Sequence, residues 1–216
     1  MFKHLIFDLD GTLLDTIPDI ASAVNDALKQ AGYDYSYDIA GVKTLIGDGA
    51  DILVHRALRD HDTPEAFQAL KEVYMPLYRD YQNLHTKPFD GLTPVLDELI
   101  SKGYKLYIAS NKPDALAQVV VRANYGERFS FISGQQIGEP VKPNPIIVNR
   151  ILDRFALKKE ECLYIGDSHV DIETASNAGI SSCLVTWGYG CYTKELCDKA
   201  TYVIHKPEEL IQLVSK

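Results

Sequence analysis

Short, mostly apolar runs recur along the chain, at Leu5–Leu9, Lys105–Ala109, Cys162–Ile165, Ser182–Thr186 and Tyr202–Ile204. Their apolar residues are consecutive rather than alternating, which predicts strands covered on both faces, as in a parallel sheet. Between the later runs the spacing becomes helical. Pro113 opens a segment carrying Leu116, Val119, Val120 and Ala123, and Pro145 opens another carrying Ile147, Ile151, Leu152 and Phe155. Strands alternating with helices predict an α/β fold.

The interval 15–88 breaks that alternation. Thr16-Ile-Pro-Asp19 reads as a capping box ahead of Ile20, Val24, Ala27, Leu28 and Ala31, with Gly32 as the stop. Residues 50–60 place Leu53, Val54, Ala57 and Leu58 at helical spacing. Thr63-Pro64 starts a third helix through Phe67, Leu70, Tyr74, Leu77, Tyr78 and Tyr81, which Pro76 is expected to kink or interrupt. The pattern predicts an all-helical subdomain at 15–88 inserted into a core of 1–14 and 89–216. Residues 85–91 form the return linker, with hinges at Leu14–Ile17 and Lys87–Gly91.

Composition narrows the function classes. The chain has 216 residues, 46% of them hydrophobic, enough for a substantial core. A net charge of −8 disfavours nucleic acid or an acidic membrane as a partner, while leaving room for a local basic site for a small anion. The apolar run Leu5–Phe7 is too short for a signal peptide, and no run approaches the roughly 18 residues of a membrane span. Cys162, Cys183, Cys191 and Cys197 form no CxxC pair and read as free thiols, so the expected location is the cytoplasm.

Carboxylates within the first strand are the chemical anomaly. Strand alternation projects Asp8 and Asp10 to one side, about 6–7 Å apart, and Gly11 then allows a sharp turn. Two ionised carboxylates about 5 Å apart repel by about 3 kcal/mol at an effective dielectric near 20. A shared proton or a bound cation relieves that, unless one aspartate merely caps the turn and the other is solvated. Leu163-Tyr-Ile-Gly-Asp-Ser-His-Val-Asp171 repeats the pattern, with Asp167 at a strand end and Asp171 in the first turn of a helix, where it can also serve the helix dipole. Such hard oxygen ligands suit Mg²⁺. Ser110 stands at a strand end before a helix, either as an anion ligand or as an N-cap. Lys142 lies in a proline-stiffened turn that aims its ammonium in a fixed direction.

Asp8-Leu-Asp10-Gly-Thr12, Ser110-Asn-Lys, Lys142-Pro and Gly166-Asp-Ser-His-Val-Asp171, in that order, resemble the motifs of the haloacid dehalogenase superfamily of aspartate-nucleophile phosphotransferases. The resemblance implies a Rossmann-like core with a helical cap inserted after the first strand. It implies Asp8 as the nucleophile, forming an aspartyl-phosphate, and Asp10 as the acid that later serves as base, with Thr12 helping to orient Asp10. Mg²⁺ would sit between the Asp8 carboxylate, the Asp10 main-chain carbonyl and Asp167, with Asp171 close by, directly or through water. Ser110 and Lys142 would hold phosphoryl oxygens, helped by the amides of Gly11 and Asn111.

Asp10 argues against dehalogenase and phosphonatase branches, which usually lack an acid there, and Thr12 favours phosphatases over sugar-phosphate mutases. The stretch Leu45–Leu58, together with Ser110–Pro113, Lys142–Pro145 and Trp187–Gly190, is similar to phosphoglycolate phosphatases. That implies a small phosphorylated metabolite as partner, 2-phosphoglycolate first, with Gly47, Asp48, Gly49 and Arg56 as candidate substrate contacts. Alternatively, Gly47 ends a turn, Asp48 caps the next helix and Arg56 makes a helix-surface salt bridge. Trp187 and Tyr189 belong either to the rim of the site or to the core, with core the expectation, and His169 is expected in solvent. The competing functions are a phosphoglucomutase-like phosphotransferase, an inorganic pyrophosphatase, or a non-enzymatic metal- or phosphate-binding regulatory module.

Overall fold

The computed structural model describes residues 1–215 and divides into two compact units, Met1–Asp15 with Pro88–Lys216 and the intervening Thr16–Lys87. In the first unit, strands β1 (His4–Phe7), β4 (Lys105–Pro113), β5 (Phe131–Gln135), β6 (Cys162–Gly166), β7 (Ser181–Val185) and β8 (Tyr202–Ile204) form one parallel, Rossmann-like sheet. The two-residue strands β2 (Leu14–Asp15) and β3 (Lys87–Pro88) lie on the passages out of and back into this unit.

Spatial order is β5-β4-β1-β6-β7-β8. The chain builds outward from β1 through β4 and β5, then returns to lay β6 against the other side of β1. That reversal makes the carboxyl ends of β4, β1 and β6 the topological switch point, where open α/β sheets form ligand crevices. Phe7 is level with Ile108 on β4 and Ile165 on β6. Asp8, Ser110 and Asp167 therefore emerge from the same end of three neighbouring strands.

Strand alternation distributes the core. Leu5, Phe7, Leu106, Ile108, Leu163 and Ile165 pack on one face against helices α5 (Leu92–Ser101), α6 (Asp114–Tyr125) and α10 (Glu209–Val214). Ile6, Tyr107, Ala109 and Tyr164 point to the opposite face, under α7 (Ile146–Phe155) and α8 (His169–Ala178). A short α9 (Lys194–Lys199) places Leu196 against Ile172 and Leu184.

The predicted Leu5–Leu9 strand ends two residues early, at Phe7, because Leu9 accepts the amides of Leu13 and Leu14 and closes a turn. The Phe131–Gln135 strand is absent from the sequence-based expectation. It offers only two apolar residues, and its Ser133 and Gly134 serve close packing: Ser133 donates to the Ile147 carbonyl, and a Cβ on Gly134 would lie 2.4 Å from the Asp114 Cα.

The second unit is wholly helical apart from its link at Lys87. It comprises α1 (Ile17–Gln30), α2 (Ile39–Leu45), α3 (Ala50–Leu58) and α4 (Pro64–Tyr81). Helix α2, missed by the sequence reading because Gly41 dilutes a seven-residue pattern, is capped by Asp38 accepting from the Gly41 amide at 2.7 Å. Pro76 does not interrupt α4.

The predicted Thr16/Asp19 capping box does not form. Asp19 instead faces the end of the unit. One of its oxygens accepts from the His85 amide and Nδ1, both at 2.9 Å; the other accepts from the Thr86 amide at 2.8 Å and hydroxyl at 2.7 Å. A buried carboxylate is thus satisfied by a segment 66 residues away in sequence, a partner no local pattern reveals. Among the described residues no helix is long and apolar enough to cross a membrane.

Asp19→Ala should lower the urea midpoint, by the equivalent of about 3 kcal/mol, since it strands the buried amide and hydroxyl of Thr86 and the part-buried amide of His85. Burial also pushes the thiols of Cys162 and Cys183 each up to about 12, so both are unreactive as well as inaccessible. In a titration with a chromogenic disulfide, exposed Cys191 should react first, and Cys162 and Cys183 only on unfolding.

Candidate active site at the carboxyl ends of three strands

Asp8 continues the parity of Ile6 and so points to the face covered by α7 and α8. Its own amide still belongs to the sheet, donating to the Ile165 carbonyl at 2.8 Å. Lys142 precedes α7, and Asp171 lies in the first turn of α8. The Lys142 ammonium donates to Asp8 Oδ1 at 2.7 Å, to Asp171 Oδ1 at 2.7 Å and to the Tyr164 hydroxyl at 3.0 Å, so each of its three protons has a partner. Tyr164 donates its own proton to the Ala109 carbonyl at 2.9 Å. All four side chains are buried.

Asp8, Asp167 and Asp171 each offer a carboxylate oxygen within 4.8 Å of the others. Burial, then the neighbouring Asp171, pushes Asp8 up to about 8 against the pull of Lys142. The same two causes push Asp167 up to about 7, against the Tyr189 amide and the Thr12 hydroxyl. Burial alone would lower Lys142, but Asp171 and Asp8 outweigh it and hold the ammonium well above its ordinary range. One lysine against three carboxylates leaves two negative charges uncompensated when all are ionised. Hard oxygen donors in such a deficit fit a divalent cation such as Mg²⁺.

The crowding around Asp8 does not come from Asp10. The first strand has ended before Asp10, so strand alternation does not pair the two side chains; Asp10 accepts instead from Lys112 Nζ at 3.3 Å. Lys112, buried and absent from the sequence-based candidates, is the second lysine of the site. Ser110 does not cap a helix: β4 runs on to Pro113, and the Ser110 hydroxyl accepts the Lys112 amide at 3.2 Å. Asn111 clasps the Lys142 backbone, accepting its amide at 2.7 Å and donating to its carbonyl at 3.4 Å. Gly11 adopts φ +89° and donates its amide to the Leu14 carbonyl at 3.0 Å.

Thr12, expected to orient Asp10, donates instead to Asp167 Oδ1 at 3.2 Å. Asp171 forms a complete capping box with Ser168, one oxygen accepting the Ser168 amide at 3.0 Å and its hydroxyl at 2.6 Å. It serves helix and site together, because its other oxygen holds Lys142. His169 is exposed.

Trp187–Gly190 is not plain core. Trp187 packs partly against the core, but its Nε1 donates to the Thr12 carbonyl at 3.0 Å. The amides of Tyr189 and Gly190 donate to Asp167 Oδ2 at 2.7 and 3.2 Å. A Cβ on Gly188 would lie 2.1 Å from the Gly11 carbonyl oxygen, and one on Gly190 1.9 Å from the Asp167 carbonyl oxygen. Only glycine allows this loop to press against both strand-end turns.

In the helical unit, Gly47, Asp48, Gly49 and Arg56 form their own junction. Gly47 and Gly49 take φ +109° and +91°. Arg56 bonds Asp48 at 2.5 Å and the Leu45 carbonyl at 3.2 Å, the helix-surface bridge alternative, and Asp48 does not cap α3.

A family model described as haloacid dehalogenase-like hydrolase matches residues 5–185. A phosphoglycolate phosphatase of Aquifex aeolicus is 32% identical over 213 residues, covering 98% of this chain and 96% of that protein. One from Neisseria gonorrhoeae is 34% identical, covering 97% and 89%. A solved structure from Lactobacillus delbrueckii subsp. bulgaricus, provisionally named a phosphoglycolate phosphatase, superposes with a TM-score of 0.88 at 32% identity, over 99% of this chain and 98% of that one.

Gly188→Ala should force the loop off Gly11 and Asp167, costing about 1–3 kcal/mol. A thermal or urea unfolding curve checks it, and an unchanged midpoint would contradict the close approach.

Proposed function

This chain belongs to the haloacid dehalogenase-like hydrolase family, and from that premise we propose that it is a Mg²⁺-dependent phosphatase of small phosphomonoesters, 2-phosphoglycolate first among them. The observation that carries the reading is the buried Asp8, clamped by Lys142 inside a cluster of three carboxylates at the switch point of the sheet.

Asp8 has one oxygen engaged by Lys142, which orients the carboxylate for attack on phosphorus. The bond from phosphorus to the leaving alcohol breaks as the Asp8–phosphorus bond forms, and Asp10, acting as general acid, gives a proton to the departing oxygen. A water then attacks phosphorus while the Asp10 carboxylate takes its proton, releasing phosphate and restoring Asp8. Lys142 and Lys112 supply positive charge beside Asp8 and Asp10 respectively. Ser110 and the Asn111 amide are the proposed phosphoryl contacts; the Gly11 amide, expected among them, is instead committed to the Leu14 carbonyl.

Asp8, Asp167 and Asp171, with the Asp10 carbonyl, are the residues that would hold Mg²⁺. The ion supplies charge neutralisation for the phosphate dianion, the main requirement of phosphoryl transfer. For the substrate, the support is the naming of relatives that match nearly the whole chain.

Phosphate release should be abolished in Asp8→Asn and lost on adding EDTA, then restored by Mg²⁺. Across a panel of phosphoglycolate, sugar phosphates, nucleotides and pyrophosphate, kcat/KM should be highest for phosphoglycolate. Undiminished turnover by Asp8→Asn would remove the covalent route; a sugar phosphate or pyrophosphate at the top would replace the substrate.

A further inference from the structure

Asp167 owes its orientation to other segments. One oxygen accepts the Thr12 hydroxyl, and the other accepts the amides of Tyr189 and Gly190. These bonds fix the plane of the carboxylate while leaving acceptor capacity on both oxygens. The loop that provides the amides lies beyond the end of β7 and belongs to no helix or strand. Its register therefore depends on what its side chains grip.

Tyr189 grips the place where the chain leaves the core unit. Its hydroxyl donates to Asp15 Oδ1 at 2.7 Å, with the Leu14 carbonyl 3.4 Å away, and its ring lies 6.0 Å from that of Phe89, just after the chain's return. A single residue thus holds Asp15 with its side chain and Asp167 with its backbone.

We infer that Tyr189 is a positioning residue for Asp167: anchored on Asp15 by its hydroxyl, it keeps the Trp187–Gly190 loop where the loop's amides aim Asp167 into the cation site. The inference rests on the divalent-cation reading above and adds to it a residue that touches neither cation nor substrate. Phenylalanine at 189 keeps the ring's bulk and the backbone amide, so Tyr189→Phe removes the anchor alone. Asparagine at 15 keeps an acceptor for the hydroxyl, whereas alanine does not.

The test is calorimetric titration of the full chain with MgCl₂ alone, without substrate. Outer-sphere partners of metal ligands typically govern affinity by 10–100-fold. Tyr189→Phe and Asp15→Ala should each bind Mg²⁺ about tenfold more weakly than the wild type. The double variant should bind no more weakly than either single one, because both remove the same contact. Asp15→Asn should stay within about twofold of the wild type. A merely structural role would lower the melting temperature and leave the Mg²⁺ constant in place. The inference is overturned by wild-type-like constants in Tyr189→Phe and Asp15→Ala, by losses that multiply in the double variant, or by Asp15→Asn binding as weakly as Asp15→Ala. Should Tyr189→Phe fail to fold, the two Asp15 variants decide. A wild type that takes up no Mg²⁺ removes the cation reading and this inference together; a wild type that binds while the variants match it removes this inference alone.

Discussion

Everything at the switch point depends on one ammonium group shared by two buried carboxylates. Lys142 lies 2.7 Å from both Asp8 and Asp171, in a place burial keeps from water. Without it, burial and the neighbouring Asp171 would push Asp8 up unopposed. Removing one partner of a buried pair typically costs about 3–5 kcal/mol, because the other charge is left stranded. The lysine is therefore held with care: Asn111 clasps its backbone, and Tyr164 takes its remaining proton.

The sheet makes that arrangement inexpensive to specify. Parallel strands in register bring Asp8, Ser110 and Asp167 to within one residue of the same level, and alternation turns Asp8 toward the face under α7 and α8, where Lys142 lies in the segment before α7 and Asp171 in the first turn of α8. Each functional group stands just past a strand or at the start of a helix, supported by a rigid element. The irregular segment, Trp187–Gly190, is tied down by an indole, a phenol and two close glycine contacts.

Legibility in the sequence followed the range of the cause. Asp8 and Asp167 stood out because an apolar strand and a glycine flank each of them locally, and the helical character of the 15–88 interval showed in its own periodicity. Lys112 did not stand out, because its partner Asp10 lies 102 positions earlier. Thr12 was read with its neighbour Asp10, whereas its hydroxyl goes to Asp167. The supposed capping box at Thr16 failed for the same reason, since Asp19 answers to His85 and Thr86. Strand β5 escaped notice because close helix packing had replaced its apolar residues with serine and glycine. Periodicity reports what a segment buries, and it is silent on which distant group a polar side chain will meet.

The carbonyl of Leu13 accepts both the Phe89 amide at 3.2 Å and the Tyr125 hydroxyl at 2.7 Å. The two cut ends of the core chain are thus fastened side by side to a helix that takes part in the core. For the sheet, the long excursion between them is a closed loop whose length and content do not enter its register. An insertion or deletion within the helical excursion would therefore leave the strand ends that carry Asp8, Ser110 and Asp167 where they are.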